Sequence, residues 1–372
     1  MKKHYLPCLL TFVILVSCAG DDTDFEFAEE ATLPSFVAIG EDLETVWQLN
    51  YNGASQNAQI EDIGTQLAID PNYLTLRQTG NQLSFYSFDS GFFDLSQKDV
   101  VTGDIQIFDR FYQNTDQRSV VWGINNETQV FFGFFAPLGS TNLAIRQIGL
   151  QDLQGQDLLL EADITRLYQP VYERNKLFIP YEDGSNIFKV GVYETNTQQL
   201  RVTLNFGTAR PSIFMNADGN LAVLKFDSNT GLSLDIFDFD SIQLLQTTPL
   251  DLNQVFPVGA LEAELQGDAL YYEYTFVQPS ALNSGPAIFN LGSQQNQILD
   301  LRGIIEQLET EPTNDFTLTT QRFSPKDNVF YVGYANLAEN RTDEGGILIL
   351  SREGELLQDI RLDFVPTYIL KD

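Results

Sequence analysis

The chain has 372 residues and a formal net charge of −30, with 51 acidic against 21 basic side chains. So acidic a surface disfavours nucleic acid and anionic membrane surfaces as partners, because both are polyanions, but it admits cations, neutral glycans and proteins. The one histidine, His4, and both cysteines, Cys8 and Cys18, lie at the extreme N-terminus, so the remaining chain excludes Ser-His-Asp and Cys-His catalysis, histidine-ligated zinc and an internal disulfide.

The chain opens with Lys2 and Lys3, followed by an apolar run from Tyr5 to Val16. That run is shorter than the roughly 20 apolar residues a membrane-spanning helix needs, and it has the layout of a secretory signal peptide. It ends Leu15-Val16-Ser17-Cys18, which resembles the lipobox of bacterial lipoproteins. The resemblance implies that residues 1–17 are a leader, that cleavage precedes Cys18 and that lipid is attached to its sulfur. The alternative is an ordinary signal peptide that contains a cysteine. Residues 18–32 are rich in acid, with Asp21, Asp22, Asp24, Glu26, Glu29 and Glu30, and are expected to be a solvated, disordered tether. They also resemble the acidic export signal that follows the cysteine in surface lipoproteins of Bacteroidota-like bacteria. This implies an outer-membrane lipoprotein exposed at the cell surface.

From residue 33 onward the sequence repeats a β-rich unit. Its clearest copy runs from Phe323 to Leu362: a strand ending at Pro325–Asn328, the run Val329–Tyr334, a third run Ile347–Ser351, and a turn at Glu353-Gly354 into a fourth run ending at Leu362. Four short strands joined by turns form an up-and-down sheet. The second strands of successive units start at Phe36, Gln82, Gln129, Lys176, Asn220, Ala269 and Asn328, spaced 44 to 49 residues apart with one step of 59. The long step contains the helix candidate Ile304–Glu309. A period near 45 residues with four strands per unit predicts a seven-bladed β-propeller over residues 33–372, with six blades as the alternative. The first unit lacks a first strand, whereas Val365–Leu370 is similar to the first strand Arg210–Met215. The C-terminal strand is therefore expected beside Phe36–Gly40, where it joins the two ends of the ring. The pattern is similar to that of propeller-type bacterial lipoproteins in general.

In a propeller the loop leading into each innermost strand faces the central funnel. Arg118, Arg166 and Arg210 lie at equivalent places in three consecutive units, and such an arc of guanidinium groups would suit a carboxylate or sulfate on a ligand. Local pairing with carboxylates is the other reading. Trp122 falls in an innermost strand, nearest the funnel. Asp235, Asp238 and Asp240 offer carboxylates for glycosidase chemistry, which requires two of them across a substrate; an exposed acidic strand face is the alternative. Asp227-Ser228-Asn229 and Glu182-Asp183-Gly184 have a faint likeness to calcium loops, but Leu232 stands where such a loop has glycine. No cofactor is required, and Ca²⁺ is the one metal the pattern admits. The expected function is a binding or scaffold module for a glycan, a peptide or a partner protein, reaching the membrane through its lipid. A carboxylate-dependent polysaccharide-degrading enzyme is the alternative.

Overall fold

The second strand of each unit is apolar on both faces, so no single sheet can cover itself and each must be sandwiched between two others. The computed structural model describes residues 33–371 apart from 116–118, 136–138, 162, 309–315 and 337–343. The leader, Cys18, the whole acidic tether and Arg118 lie outside the described residues. The described chain forms seven antiparallel sheets arranged as a seven-bladed β-propeller. The innermost strands of blades 2 to 7 are Thr75–Thr79, Ser119–Asn125, the pair Ile164–Leu167 and Val171–Glu173, Arg210–Met215, Glu264–Gln266 and Phe316–Ser324. The second strands begin at Phe36, Gln82, Gln129, Lys176, Leu221, Ala269 and Val329, within one residue of the sequence-based positions.

Side chains alternate across each strand, and both sets find a neighbouring blade. In blade 3, Val130 and Phe132 pack against Tyr86 and Leu95 of blade 2. Phe131, between them, packs against Leu177 and Ile179 of blade 4. The buried hydrophobic residues fall into seven clusters, one for each interface between blades. Each fully buried Phe or Leu contributes about 1.5–3 kcal/mol relative to leaving it in water, so the ring is held by repeated slabs rather than one core. Packing is tight enough to dictate residue size. A Cβ on Gly133 would lie 2.2 Å from the Trp122 ring, so only glycine lets the indole lie flat across the second strand.

The ring closes as the sequence predicts. Val365–Ile369 pairs antiparallel with Ala38–Glu41 and becomes the innermost strand of blade 1. The helix candidate is also present, as Arg302–Leu308.

Three features were not anticipated. A short helix, Ile63–Leu67, follows blade 1; Asp62 caps it by accepting from the Thr65 amide at 2.9 Å, and Ile63 and Leu67 are buried. The innermost strand of blade 4 is broken between Leu167 and Val171, where Pro170 and the facing Pro180 supply no ladder donors. Gly259–Ala260 forms a fifth strand in blade 5, parallel to Arg210–Met215 and inside it, within the channel.

Candidate functional site: the central channel and its two mouths

The two faces of the ring differ. On one face the chain turns from first to second strands and from third to fourth, through tight connections such as 80–81, 174–175, 267–268 and 352–355. On the other face lie the connections between blades and those from second to third strands. These include 63–74, 251–263, 276–283 and 299–315. Four exposed apolar side chains, Leu43, Leu74, Val255 and Val277, lie in its connections, and Val277 is 82% exposed; Val101 and Leu153 are their counterparts in connections of the tight-turn face. Residues 33–35 reach the ring on the opposite, tight-turn face, where Ser35 Oγ accepts from the Gly53 amide at 3.0 Å.

The channel between these faces is crossed by side chains. Segment 259–263 descends into it. The Ala260 amide donates to Gln169 O at 2.9 Å, the Leu261 amide donates to Ile213 O at 2.9 Å, and Ser212 Oγ donates to Pro257 O at 2.5 Å. Gly259 adopts a φ of +112°, a conformation that favours glycine, and a Cβ there would lie 3.1 Å from Tyr168 Cβ and 3.2 Å from Gln169 N. From blade 2, Arg77 reaches over blade 3. Its Nε donates to Gly123 O at 3.1 Å and its Nη2 to Gln169 Oε1 of blade 4 at 2.5 Å. Desolvation holds the Arg77 pKa below its usual value.

A charged group lies along the same axis. Arg322 of blade 7 donates through Nη1 to Ile369 O at 2.7 Å, and its Nη2 is 3.7 Å from Glu262 Oε2. Lys371, which follows the closing strand, places Nζ 3.1 Å from the same oxygen. The Glu262 side chain is 67% exposed, although protein surrounds it on several sides within the channel. The surrounding protein pushes its pKa up, but the charges of Lys371 and then Arg322 outweigh that and hold it below the ordinary carboxylate value. At neighbouring Glu264 burial dominates, and the pKa is raised despite Arg322 and Lys371. Tyr368, also on this axis, is pushed up to about 12 by burial and then by Glu262. Glu262, Glu264, Gln321 and Arg322 share a cavity of about 30 Å³ with Tyr271 and Phe323, whose rings stack 3.5 Å apart.

The residues singled out from the sequence fall in different environments. Arg166 and Arg210 are both exposed, at the start of adjacent innermost strands and on the face of long connections. Arg166 is 71% exposed, with Nε 3.9 Å from Glu182. Trp122 is buried between blades 3 and 4, so its indole packs the wall and does not present itself at the funnel. The three aspartates do not share an exposed strand face. Asp235 is buried, 2.6 Å from Lys225 Nζ and accepting from Thr247 Oγ1 at 2.7 Å. The strand ends at Phe237; Asp238 instead caps a turn by accepting from the Ser241 amide, and Asp240 faces Lys176 at 3.8 Å. Asp227 and Asp183 likewise accept backbone amides of their own turns. Among the described residues no group of three His, Cys, Asp or Glu side chains is placed to hold a metal ion.

Sequence reasoning missed Arg77, Glu262, Arg322 and Lys371. One signal was available. Arg77, Glu264 and Arg322 each lie two residues before the end of an innermost strand, opposite the third residue of the second. Glu262 had no such signal, because it is carried into the channel by the unanticipated strand in blade 5.

No protein-family model matches this chain, and no curated protein matches it either. Solved structures do share its fold, and these neighbours include bacterial β-propeller proteins. The periplasmic gluconolactonase of Pseudomonas aeruginosa is 15% identical, with a TM-score of 0.50 over 90% of this chain and 98% of its own. A protein from Bacteroides fragilis provisionally named a 6-phosphogluconolactonase is 13% identical, with a TM-score of 0.51 over 90% and 97%. A similarly named protein from Bacteroides uniformis is 14% identical, with a TM-score of 0.51 over 91% and 99%. At such identities the likeness is one of fold.

Proposed function

We propose that this protein is an extracytoplasmic binding module, anchored through lipid on Cys18 after removal of residues 1–17 and displayed at the outer-membrane surface on the acidic tether 18–32. The observation that carries this reading is the asymmetry of the ring. The long connections and their exposed apolar side chains share one face, and the chain joins the ring from the other. A tether attached there would leave the elaborated face pointing away from the membrane, free to meet a glycan, a peptide or a partner protein.

Arg166 and Arg210 lie on that face at the start of their innermost strands and, together with Arg118, would receive an acidic group of the ligand. Trp122 would act from beneath, by fixing the wall of blade 3. The polysaccharide-degrading alternative finds less support, because Asp235 is committed to Lys225 and Asp238 to its own turn.

The test has two arms. Radiolabelled palmitate should enter the wild-type chain and not Cys18→Ala, and protease added to intact cells should remove the wild-type protein. Separately, a glycan and peptide array probed with the protein should give hits that are lost when Arg118, Arg166 and Arg210 are changed together to Ala. Binding unchanged by the triple variant would remove the arginines from the site. An unlabelled, protease-protected wild type would refute the address.

A further inference from the structure

We propose that the tight-turn end of the central channel is an oxyanion site in which Arg322 and Lys371 bind a carboxylate or sulfate group, and that Glu262 is its built-in, displaceable occupant. This site is separate from the binding face described above.

The geometry builds up in steps. Blades 7, 1 and 2 are consecutive around the ring, and each brings one cation to the axis: Arg322, Lys371 and Arg77. A chain of net charge −30 gathers few cations by accident, and here two meet one carboxylate while a third adds to its field. Arg322 is fixed, because its Nη1 is spent on Ile369 O, which leaves Nη2 aimed along the channel. Lys371 is half exposed and adjustable. Arg77 is locked between Gly123 and Gln169 and supplies field rather than contact.

Glu262 completes the arrangement. It does not belong to any strand; it lies in the connection between Gly259–Ala260 and Glu264–Gln266. Its contacts to Arg322 and Lys371, at 3.7 and 3.1 Å, are those an incoming carboxylate would make. With two-thirds of its side chain in water, it can rotate away without exposing any core. The adjoining cavity of about 30 Å³, which Glu264 also lines, has room for a water molecule and none for a sugar ring, so an incoming anion takes the place of the Glu262 carboxylate itself. The site therefore fits a single charged group, with the body of the ligand outside the channel mouth. Occupancy is then a competition between two anions for the same pair of cations, so the charge of residue 262 sets the affinity.

The experiment is calorimetric titration of the full chain with sodium sulfate and with glucuronate, using glucose as the neutral control. The two anions distinguish a preference for sulfate from one for carboxylate. Glu262→Gln removes the competitor and should tighten binding about tenfold; Lys371→Gln should weaken it about tenfold, each equal to about 1.4 kcal/mol. Glucose should not bind. Lys371→Gln is the safer loss variant, since Arg322→Gln also removes the hydrogen bond to Ile369 and could unfold the seam. Opposite signs for the two variants support the proposal. No anion binding by Glu262→Gln, or equal affinity in wild type, Glu262→Gln and Lys371→Gln, would overturn it.

Discussion

If the ring is held shut by its last strand, removing that strand should cost most of the stability of the protein. The perturbation is a chain ending at Asp363. It loses Phe364 and Ile369, which are 2% and 1% exposed. Truncating a buried Phe costs about 3–5 kcal/mol and a buried Ile about 2–5 kcal/mol. Their sum approaches the whole stability of an ordinary domain, about 5–15 kcal/mol. The truncation also strips the acceptors of Arg322 and Thr319, which donate to Ile369 O and Pro366 O, and the donors to Gln78 from Tyr368 and Lys371. Trp47 stacks on Phe364 with ring centroids 6.2 Å apart, so it reports the seam, whereas Trp122 lies between blades 3 and 4. In a Trp122→Phe background, urea unfolding followed by Trp47 emission and by far-ultraviolet circular dichroism should show a red-shifted, non-cooperative truncated chain. The graded variant Ile369→Ala should remain folded and lose about 2–5 kcal/mol. A truncated chain that unfolds cooperatively at the wild-type midpoint would refute the closure argument.

Other expectations follow from single sites. Lys225→Met leaves Asp235 buried without its partner and should cost about 3–5 kcal/mol in urea, while Lys225→Met with Asp235→Leu should recover most of that loss. Tyr86→Phe removes the donor to Asn125 Oδ1 at 2.8 Å in a fully buried site; a loss of about 1–3 kcal/mol is expected by thermal or chemical denaturation. Gly133→Ala drives a methyl into the Trp122 ring and should lower the melting temperature by an amount equivalent to about 1–3 kcal/mol or more. In acid, Glu61 is held below its ordinary pKa of 4.5, first by its hydrogen bond from Lys98. Its contribution to stability is therefore complete above about pH 4.5 and is lost as pH falls through the lower folded value. Glu264, raised by burial, acts with the opposite sign, since its ionisation on going up in pH disfavours the fold. A melting temperature measured from pH 7 to pH 3 should fall below about pH 4.5, and less steeply in Lys98→Met.

What the sequence determined by itself is what depends on period and local chemistry. The spacing of the second strands, the apolar character of both their faces and the turn residues before them were enough to place seven blades, because a sheet buried on both sides leaves a near-continuous apolar run that no solvent-facing strand shows. The similarity of Val365–Leu370 to Arg210–Met215 was enough to place the closing strand, because both fill the same slot in equivalent blades. The helix Ile63–Leu67 is too short to show a period, and nothing local marks it except Asp62 as its cap. Apart from the shared strand position of Arg77, Glu264 and Arg322, the channel site was decided by tertiary structure. Arg77, Glu262, Arg322 and Lys371 are scattered over most of the chain and meet only because the ring brings its beginning and its end together. Glu262 reaches them because segment 259–263 pairs with the blade behind it instead of starting its own. Asp235 shows the same limit from the other side: its neighbours in sequence suggest an exposed acidic strand, and only the position of Lys225 on the adjacent strand explains why that carboxylate can be buried.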